Sequence, residues 1–267
     1  MGHAVMMEHR NADTRAVITG GTQGLGYAIA CRLIEEGADR LVISGRNMAR
    51  GERAAEALCK LGAQCIFIPA DVSKLEDCFK LVEQSIAALG HVNALVNSAA
   101  NTGRGSITDT TPDVFESHFN TNVRGPFFIM QGIINHLLAE KRPGSIVNIL
   151  SMSGYAGQSF LAPYSASKGA LTTLTKNVAN AHVTNRIRCN GINAGWMDTP
   201  GEAEIQKIWH DAEKDWLQKA EASLPMGQLV KPDQLAALVA YMLSPESGVM
   251  TGSIVDYDQN IAGAVPE

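Results

Sequence analysis

The feature that most constrains this chain is an alternation that runs from end to end. Short, β-branched apolar runs (Ala16–Thr19, Leu41–Ser44, Gln64–Ile68, Ala94–Asn97, Ser145–Leu150, Arg188–Asn193 and Ser253–Asp256) are separated by helix-length amphipathic segments. Helical spacing is visible in Ala28, Ile29, Ala30, Leu33 and Ile34, and again in Phe79, Leu81, Val82, Ile86 and Leu89. Gly37, Gly62 and Gly90 follow such segments, where a helix C-terminus favours a residue tolerant of positive φ. Strands joined by helix-length connections run parallel, and right-handed crossovers place helices on both faces of one open sheet. The expected fold is therefore a single-domain α/β, Rossmann-type, doubly wound parallel sheet of seven strands with helices on both faces.

Seven strands account for nearly the whole chain, and no Ser/Gly/Pro-rich linker divides it. Residues 15–267 are expected to form one domain behind a flexible N-terminal extension at residues 1–14. The long segment outside the alternation, roughly residues 197–228, carries charged sequence with Trp209 and Trp216 and suggests extra helix. An open α/β sheet binds ligands beyond the carboxyl ends of its strands, so an insertion after the sixth strand could form a substrate lid over that crevice. On a helix, the lid charges (Glu202, Glu204, Lys207, Asp211, Glu213, Lys214 and Asp215) are expected to form a solvated face.

Charge and composition exclude several partners. With 22 Lys+Arg against 27 Asp+Glu among 267 residues, the net charge is −5, and no basic run offers a footprint for nucleic acid. The longest uncharged stretch, Pro143 to Ser167, holds six Ser, three Gly and two Pro, which would be poorly satisfied in lipid. The first fourteen residues have no continuous apolar segment of the secretory kind. The five cysteines (Cys31, Cys59, Cys65, Cys78 and Cys189) form no C-x-x-C, which favours free thiols and a cytoplasmic location over a disulfide framework. The seven histidines show no ligand spacing such as H-E-x-x-H, so no metal centre is expected.

The first predicted strand runs directly into Thr19-Gly20-Gly21-Thr22-Gln23-Gly24-Leu25-Gly26 and then a helix. Glycines at this point let the backbone approach a pyrophosphate, whose charge is stabilised by free N–H groups at the helix N-terminus. The spacing is G-x-x-x-G-x-G rather than G-x-G-x-x-G, and alone it also fits a plain strand-to-helix turn. The second strand ends in Ser44-Gly45-Arg46-Asn47. Folds that bind NAD commonly place a carboxylate here for the ribose hydroxyls, whereas an arginine accommodates the 2′-phosphate of NADP. Gly45 offers no carboxylate and Arg46 offers a planar cation, so NADP(H) is favoured and NAD(H) is the alternative.

Tyr164-Ser165-Ala166-Ser167-Lys168 opens a strongly helical segment and sets Tyr164 and Lys168 on one helix face, about one turn apart. A nearby ammonium lowers a phenol pKa, moving Tyr164 toward use as an acid or base near neutral pH.

Taken together, these residues resemble the classical short-chain dehydrogenase/reductase family over essentially residues 15 to 257. The likeness rests on the Thr19–Gly26 turn, Asn97-Ser98-Ala99-Ala100 after the fourth strand, and Asn122 in Asn120-Thr121-Asn122-Val123. It rests equally on Ser151, thirteen residues before Tyr164, and on the Tyr164/Lys168 pair. The resemblance implies a dinucleotide-binding catalytic domain that interconverts a secondary alcohol and a ketone or aldehyde by hydride transfer. Tyr164 would be the general acid or base, Ser151 would hydrogen-bond the reacting oxygen, and Lys168 would bind the nicotinamide ribose. Asn122 would hold a water in the proton relay. Cofactor contacts would come from Gly20, Thr22, Gln23, Gly24, Leu25 and Gly26, and from Arg46. Asp71, Val72, Asn97, Ala99, Tyr164, Lys168, Ala194, Gly195, Met197 and Thr199 complete the set.

The family's Asn-Asn-Ala-Gly reads Asn97-Ser98-Ala99-Ala100 here, and its Pro-Gly reads Ala194-Gly195; small side chains persist, so cofactor binding is expected to survive. Gln23 stands where many NADP-using relatives carry Lys or Arg. A catalytically silent NADP-binding redox sensor or scaffold is the alternative, but such proteins typically lose the serine, tyrosine or lysine. A nucleotide-sugar epimerase or dehydratase would need a longer C-terminal portion. The segment Met152–Pro163 is uncharged, favouring a small, neutral substrate such as a carbonyl compound, polyol or sugar. Relatives pair through helices that here would span Thr121–Glu140 and Tyr164–His182, implying a homo-oligomer, either dimer or tetramer.

Overall fold

The computed structural model describes residues 9–263. Its strands are β1 (Arg15–Thr19), β2 (Arg40–Gly45), β3 (Gln64–Pro69), β4 (Ala94–Asn97), β5 (Gly144–Ser151), β6 (Ile187–Ala194) and β7 (Ile254–Tyr257). They form one seven-stranded sheet in the order β3-β2-β1-β4-β5-β6-β7, every neighbouring pair parallel. Each strand begins and ends within one residue of the sequence expectation. The helices are α1 (Gly24–Glu35), α2 (Met48–Cys59), α3 (Leu75–Leu89), α4 (Pro112–Phe119), α5 (Gly125–Glu140), α6 (Ala162–His182), α7 (Pro200–His210), α8 (Trp216–Ala222) and α9 (Pro232–Leu243).

Successive strand residues point to opposite faces, so a strand apolar at every position has a core on each side. Ala16, Ile18, Leu41 and Ile43 pack against α1, α2 and α9. Val17, Val42, Leu95 and Ile146 pack against α3, α5 and α6. From β1 the chain builds outward through β2 and β3, then crosses back to lay β4 on the other side of β1. The loops leaving β1 and β4 diverge there, which opens the crevice where sheets of this kind bind ligands.

Two segments differ from the sequence expectation. Residues 1–8 of the expected flexible extension lie outside the described residues, but Arg10–Thr14 are tied down. The Asn11 amide N–H donates to the Glu36 carbonyl (2.9 Å), its side chain donates to Glu36 Oε2 (2.7 Å) and to the Ala240 carbonyl (3.2 Å), and Thr14 donates to Asn11 Oδ1 (2.8 Å). The Glu36 carboxylate is buried and ion-paired by Arg10 and Arg32; a buried charge without such partners is strongly destabilising. The helix expected from Thr121 to Glu140 is instead α4 running through a π-helical turn, Asn120–Arg124, into α5. The segment after β6 supplies α7 and α8, the extra helix expected between residues 197 and 228. No helix among the described residues is long and apolar enough to cross a membrane.

Candidate active site

The turn after β1 is shaped by contacts only glycine permits. Gly20 has φ +68°, and a Cβ there would sit 2.9 Å from the backbone of Ala99. A Cβ on Gly26 would sit 2.4 Å from the Gly20 carbonyl oxygen. Thr19 accepts hydrogen bonds from the backbone N–H groups of Ser98 (3.1 Å) and Ala99 (3.2 Å), tying the β1 and β4 loops together across the crevice. Thr19 opens the turn quoted from the sequence but was not among the expected cofactor contacts; its signal is its place as the last residue of β1.

The N-terminus of α1 opens onto this turn. Gln23 occupies the cap position without capping, and the first turn carries no acidic side chain. By contrast, Asn47 caps α2, Thr111 caps α4 and Thr199 caps α7. An uncapped helix N-terminus beside close-packed glycine backbone fits a diphosphate, so the residues present suit a dinucleotide cofactor. The Gln23 side chain is turned toward α2, where its Oε1 accepts from Arg50 Nη1 (2.5 Å). Arg46 and Arg50 are both exposed at this edge, and Arg50 is a cation the sequence reading missed. Its place three residues beyond the Asn47 cap was the available signal.

Other expected cofactor residues are distributed around the same rim. Asp71 accepts from the Ser73 N–H (3.1 Å) and hydroxyl (2.7 Å), closing a turn rather than capping α3. Val72 is buried with its carbonyl against Gly125. Asn97 is buried and donates to Asn148 Oδ1 (2.8 Å), while Asn148 donates to Thr175 (2.9 Å). Its side chain thus points into the interior, and any ligand contact at Asn97 runs through backbone. Thr199 packs toward Gly24 across the crevice, which brings α7 against the phosphate turn. Ala194 ends β6, Gly195 donates to the Tyr257 carbonyl (3.0 Å), and Met197 bridges to Val230.

Ser151 at the end of β5, Tyr164 and Lys168 on α6, and Asn122 in the π-helical turn surround the far end of the crevice. The nearby Ser153 hydroxyl donates to Gln158 (2.9 Å), and the Ser153 backbone N–H donates to Ser151 Oγ (3.2 Å). Burial raises the Tyr164 phenol above its ordinary pKa; a hydrogen bond with Ser151 opposes this, Glu202 adds to it, and Arg104 opposes it. Lys168 is 3% exposed and donates from Nζ to the Ile149 carbonyl (2.8 Å), and burial pushes its pKa down to about 8. The ammonium lies over the Tyr164 ring, 5.7 Å from its centroid. The expected net lowering of the phenol is therefore corrected: desolvation dominates, while Lys168 spends one of its three N–H donors on the Ile149 carbonyl and faces the ring.

Asn122 is 1% exposed and its amide is fully engaged. Its Oδ1 accepts from the Asn101 N–H (2.8 Å), and its Nδ2 donates to the Asn101 carbonyl (2.9 Å) and to Ser167 Oγ (3.0 Å). Both side-chain N–H groups are thus spent pinning the β4 loop to α6, so a water held at Asn122 would have to be held by its backbone.

The lid also departs from expectation at one position. Glu204, Lys207, Asp211, Glu213, Lys214 and Asp215 are exposed. Glu202 instead turns inward, accepting at Oε1 from Trp196 Nε1 (2.8 Å) and Gln206 Nε2 (2.7 Å). Opposite it stands Arg104, whose Nη2 is 3.8 Å from Glu202. The sequence reading placed Glu202 on the solvated face and did not single out Arg104, because only the folded chain brings the segment after β4 against α7.

Comparison with known proteins fits this geometry. A family model described as Enoyl-(Acyl carrier protein) reductase matches residues 20–259. An NADP-dependent (R)-specific alcohol dehydrogenase of Lentilactobacillus kefiri is 33% identical, across 89% of this chain and 92% of the relative. A 2-(S)-hydroxypropyl-CoM dehydrogenase 3 of Xanthobacter autotrophicus is 29% identical, across 94% and 98%. Among solved structures, a single-residue variant of actinorhodin polyketide ketoreductase with NADPH superposes with a TM-score of 0.88 at 27% identity, covering 97% of this chain and 100% of that one. The strand order, the glycine turn and the Ser151–Tyr164–Lys168 constellation agree with these likenesses, and the chain belongs to the short-chain dehydrogenase/reductase family of oxidoreductases.

Proposed function

We propose that this chain is an NADP(H)-dependent oxidoreductase that interconverts a secondary alcohol and its ketone, or an alcohol and its aldehyde. The observation that carries the reading is the convergence of Ser151 and Tyr164 over a buried Lys168, at the end of a crevice whose other end is the open N-terminus of α1. The bound nicotinamide supplies or accepts the hydride. In reduction Tyr164 gives its phenolic proton to the carbonyl oxygen, and the raised phenol pKa keeps that proton in place at neutral pH. Ser151 donates a hydrogen bond to the same oxygen as negative charge builds on it. Lys168 is the cation available to the ribose hydroxyls, and Asn122 positions the loop rather than touching the reacting atoms. The segment containing α7 and α8 acts as the lid.

The preference for NADP(H) is supported by Arg46 and Arg50 at the end of β2 and the start of α2. It is supported further by the NADP dependence named for the Lentilactobacillus relative and by the NADPH in the ketoreductase structure. A spectrophotometric hydride-transfer screen over ketones, alcohols and sugars with each cofactor tests the whole reading. NADP(H) is expected to be preferred, and Arg46→Ala is expected to lower kcat/KM for NADPH about 10- to 100-fold, with a much smaller effect on NADH. Preference for NAD(H) would remove the arginine argument and leave the chemistry standing. Thermal protection by NADPH with no turnover of any compound would instead identify a sensor or scaffold.

A homo-oligomer built on α5 and α6 is part of the proposal. α5 is apolar nearly all round, and its outer side leaves Phe127 and Leu138 exposed on one face. Light scattering is expected to give two or four times the 28.5 kDa chain mass. A Phe127→Asp/Leu138→Asp double variant is expected to shift it toward monomer. The five free thiols suit a reducing cytoplasm.

A further inference from the structure

We propose that Arg104 and Glu202 form a donor–acceptor pair beside the catalytic tyrosine that reads a hydroxyl group on the substrate. The chain would then select uncharged carbonyl compounds carrying a further hydroxyl, such as hydroxyketones, and the corresponding polyols. This rests on the oxidoreductase reading above and deepens it.

Arg104 follows β4 and is fixed close to the reacting end by backbone pairing. The Gly105 N–H donates to the Phe160 carbonyl (3.0 Å), and the Ala162 N–H donates to the Gly105 carbonyl (2.9 Å), so the segment is zipped onto the chain just before α6. The Arg104 side chain is only 13% exposed. Nη1 donates to the Thr102 carbonyl (3.0 Å), and the guanidinium lies 5.7 Å from the Phe160 ring centroid. Its Nε is buried without a hydrogen-bond partner.

Across from it, Glu202 is 16% exposed and held at one oxygen by Trp196 and Gln206. The two charges face each other at 3.8 Å, too far for a hydrogen bond. Each is anchored by other neighbours, so neither is free to close the gap. Desolvated charges held in this way favour a ligand that satisfies both. A hydroxyl accepts from a guanidinium N–H and donates to a carboxylate with one oxygen atom.

The remaining chemistry selects the substrate class. The pair is neutral overall, so an anionic substrate drawn to Arg104 also meets Glu202. A simple ketone gives neither group a further partner, so the pair discriminates against an analogue that lacks the hydroxyl. Both side chains also act on the charge of Tyr164, in opposite directions, which places them within electrostatic reach of the reacting carbonyl. A cavity of about 330 Å³ on the Arg104 side of the pair has Arg104, Asp109, Phe160, Trp209 and His210 in its wall.

The test is steady-state kinetics with NADPH on three compounds of equal chain length: a simple ketone, its α-hydroxyketone and the matching keto acid. The full-length wild type is compared with Arg104→Leu, Arg104→Lys and Glu202→Gln. The measured quantity is the ratio of kcat/KM for hydroxyketone over simple ketone, which cancels any common effect on Tyr164. The wild type is expected to favour the hydroxyketone, and Arg104→Leu and Glu202→Gln are each expected to lower the ratio about 10- to 100-fold, with Arg104→Lys retaining part of it. Should Arg104→Leu fail to fold, the other two variants carry the same comparison. An unchanged ratio with both rates reduced would make the pair a purely structural clasp and overturn the proposal. A keto acid that becomes the best substrate in Glu202→Gln would overturn it in favour of an anion site. Turnover of the simple ketone without preference for the hydroxyketone would defeat the pair while leaving the oxidoreductase reading intact. Turnover of none of the three compounds would defeat both.

Discussion

Replacing Tyr164 with phenylalanine is expected to lower kcat by roughly 10²- to 10⁴-fold, the range typical of a lost general acid. The substitution removes only the hydroxyl. The ring remains under the Lys168 ammonium, and the Lys168 bond to the Ile149 carbonyl does not involve the phenol. The melting temperature and its rise on adding NADPH should therefore match the wild type, so that the loss reads as chemistry and not as misfolding. The wild-type pH profile gives a second check. Because burial raises the phenol pKa, the reductive direction keeps its acid through neutral pH, whereas oxidation, which needs the phenolate, should accelerate as pH rises. An undiminished rate in Tyr164→Phe would remove this residue from the reaction.

The second large effect separates activity from stability at Lys168. A Lys168→Met variant should lose about two orders of magnitude or more in hydride transfer while gaining relative stability at neutral pH. The folded pKa of Lys168 is about 8, against an ordinary value of 10.5. Between those values the unfolded chain holds a proton that the folded chain has released, so wild-type stability rises with pH across this window. Below pH 8 the folded chain carries a desolvated ammonium, a cost of about 3 kcal/mol for a shift of this size. Methionine removes that cost at pH 7, although it leaves the Ile149 carbonyl without its donor, which offsets part of the gain. The signature is the trend. In denaturation experiments, the stability of the variant relative to wild type should decline as pH is raised from 7 toward 10. A flat or opposite trend would show that the ammonium is not desolvated in the folded protein. The expected outcome would make Lys168 a buried cation retained against stability, in keeping with its proposed role toward the ribose.

How far the sequence could be read differs between elements. The strands were legible to within a residue because short β-branched runs alternate with helix-length segments, and the central β1 and β4 are apolar at nearly every position, as a sheet covered on both faces requires. The glycine turn was legible because Gly20 and Gly26 answer a local steric demand. Tyr164 and Lys168 were legible through their one-turn spacing on α6. The π-helical turn at Asn120–Arg124 left no such mark, since its residue types also suit an ordinary helix. The docking of Arg10–Thr14 was hidden as well, because Glu36 and the Ala240 carbonyl lie 26 and 229 residues from Arg10 and Asn11.

The same distinction governs the site itself. The chain's sequence determined the α/β alternation, the phosphate turn and the identities of Ser151, Tyr164 and Lys168, since these depend on residues within a few positions of one another. Only the tertiary structure decided that Lys168 faces a carbonyl, that the Asn122 amide is spent on Asn101 and Ser167, and that Arg50 reaches Gln23. It alone set Arg104 against Glu202, 98 positions apart in the chain and 3.8 Å apart in the folded protein. Periodicity and turn chemistry are near-neighbour properties of a chain, whereas the charge and solvation around a side chain are set by whichever distant segments the packed sheet brings against it.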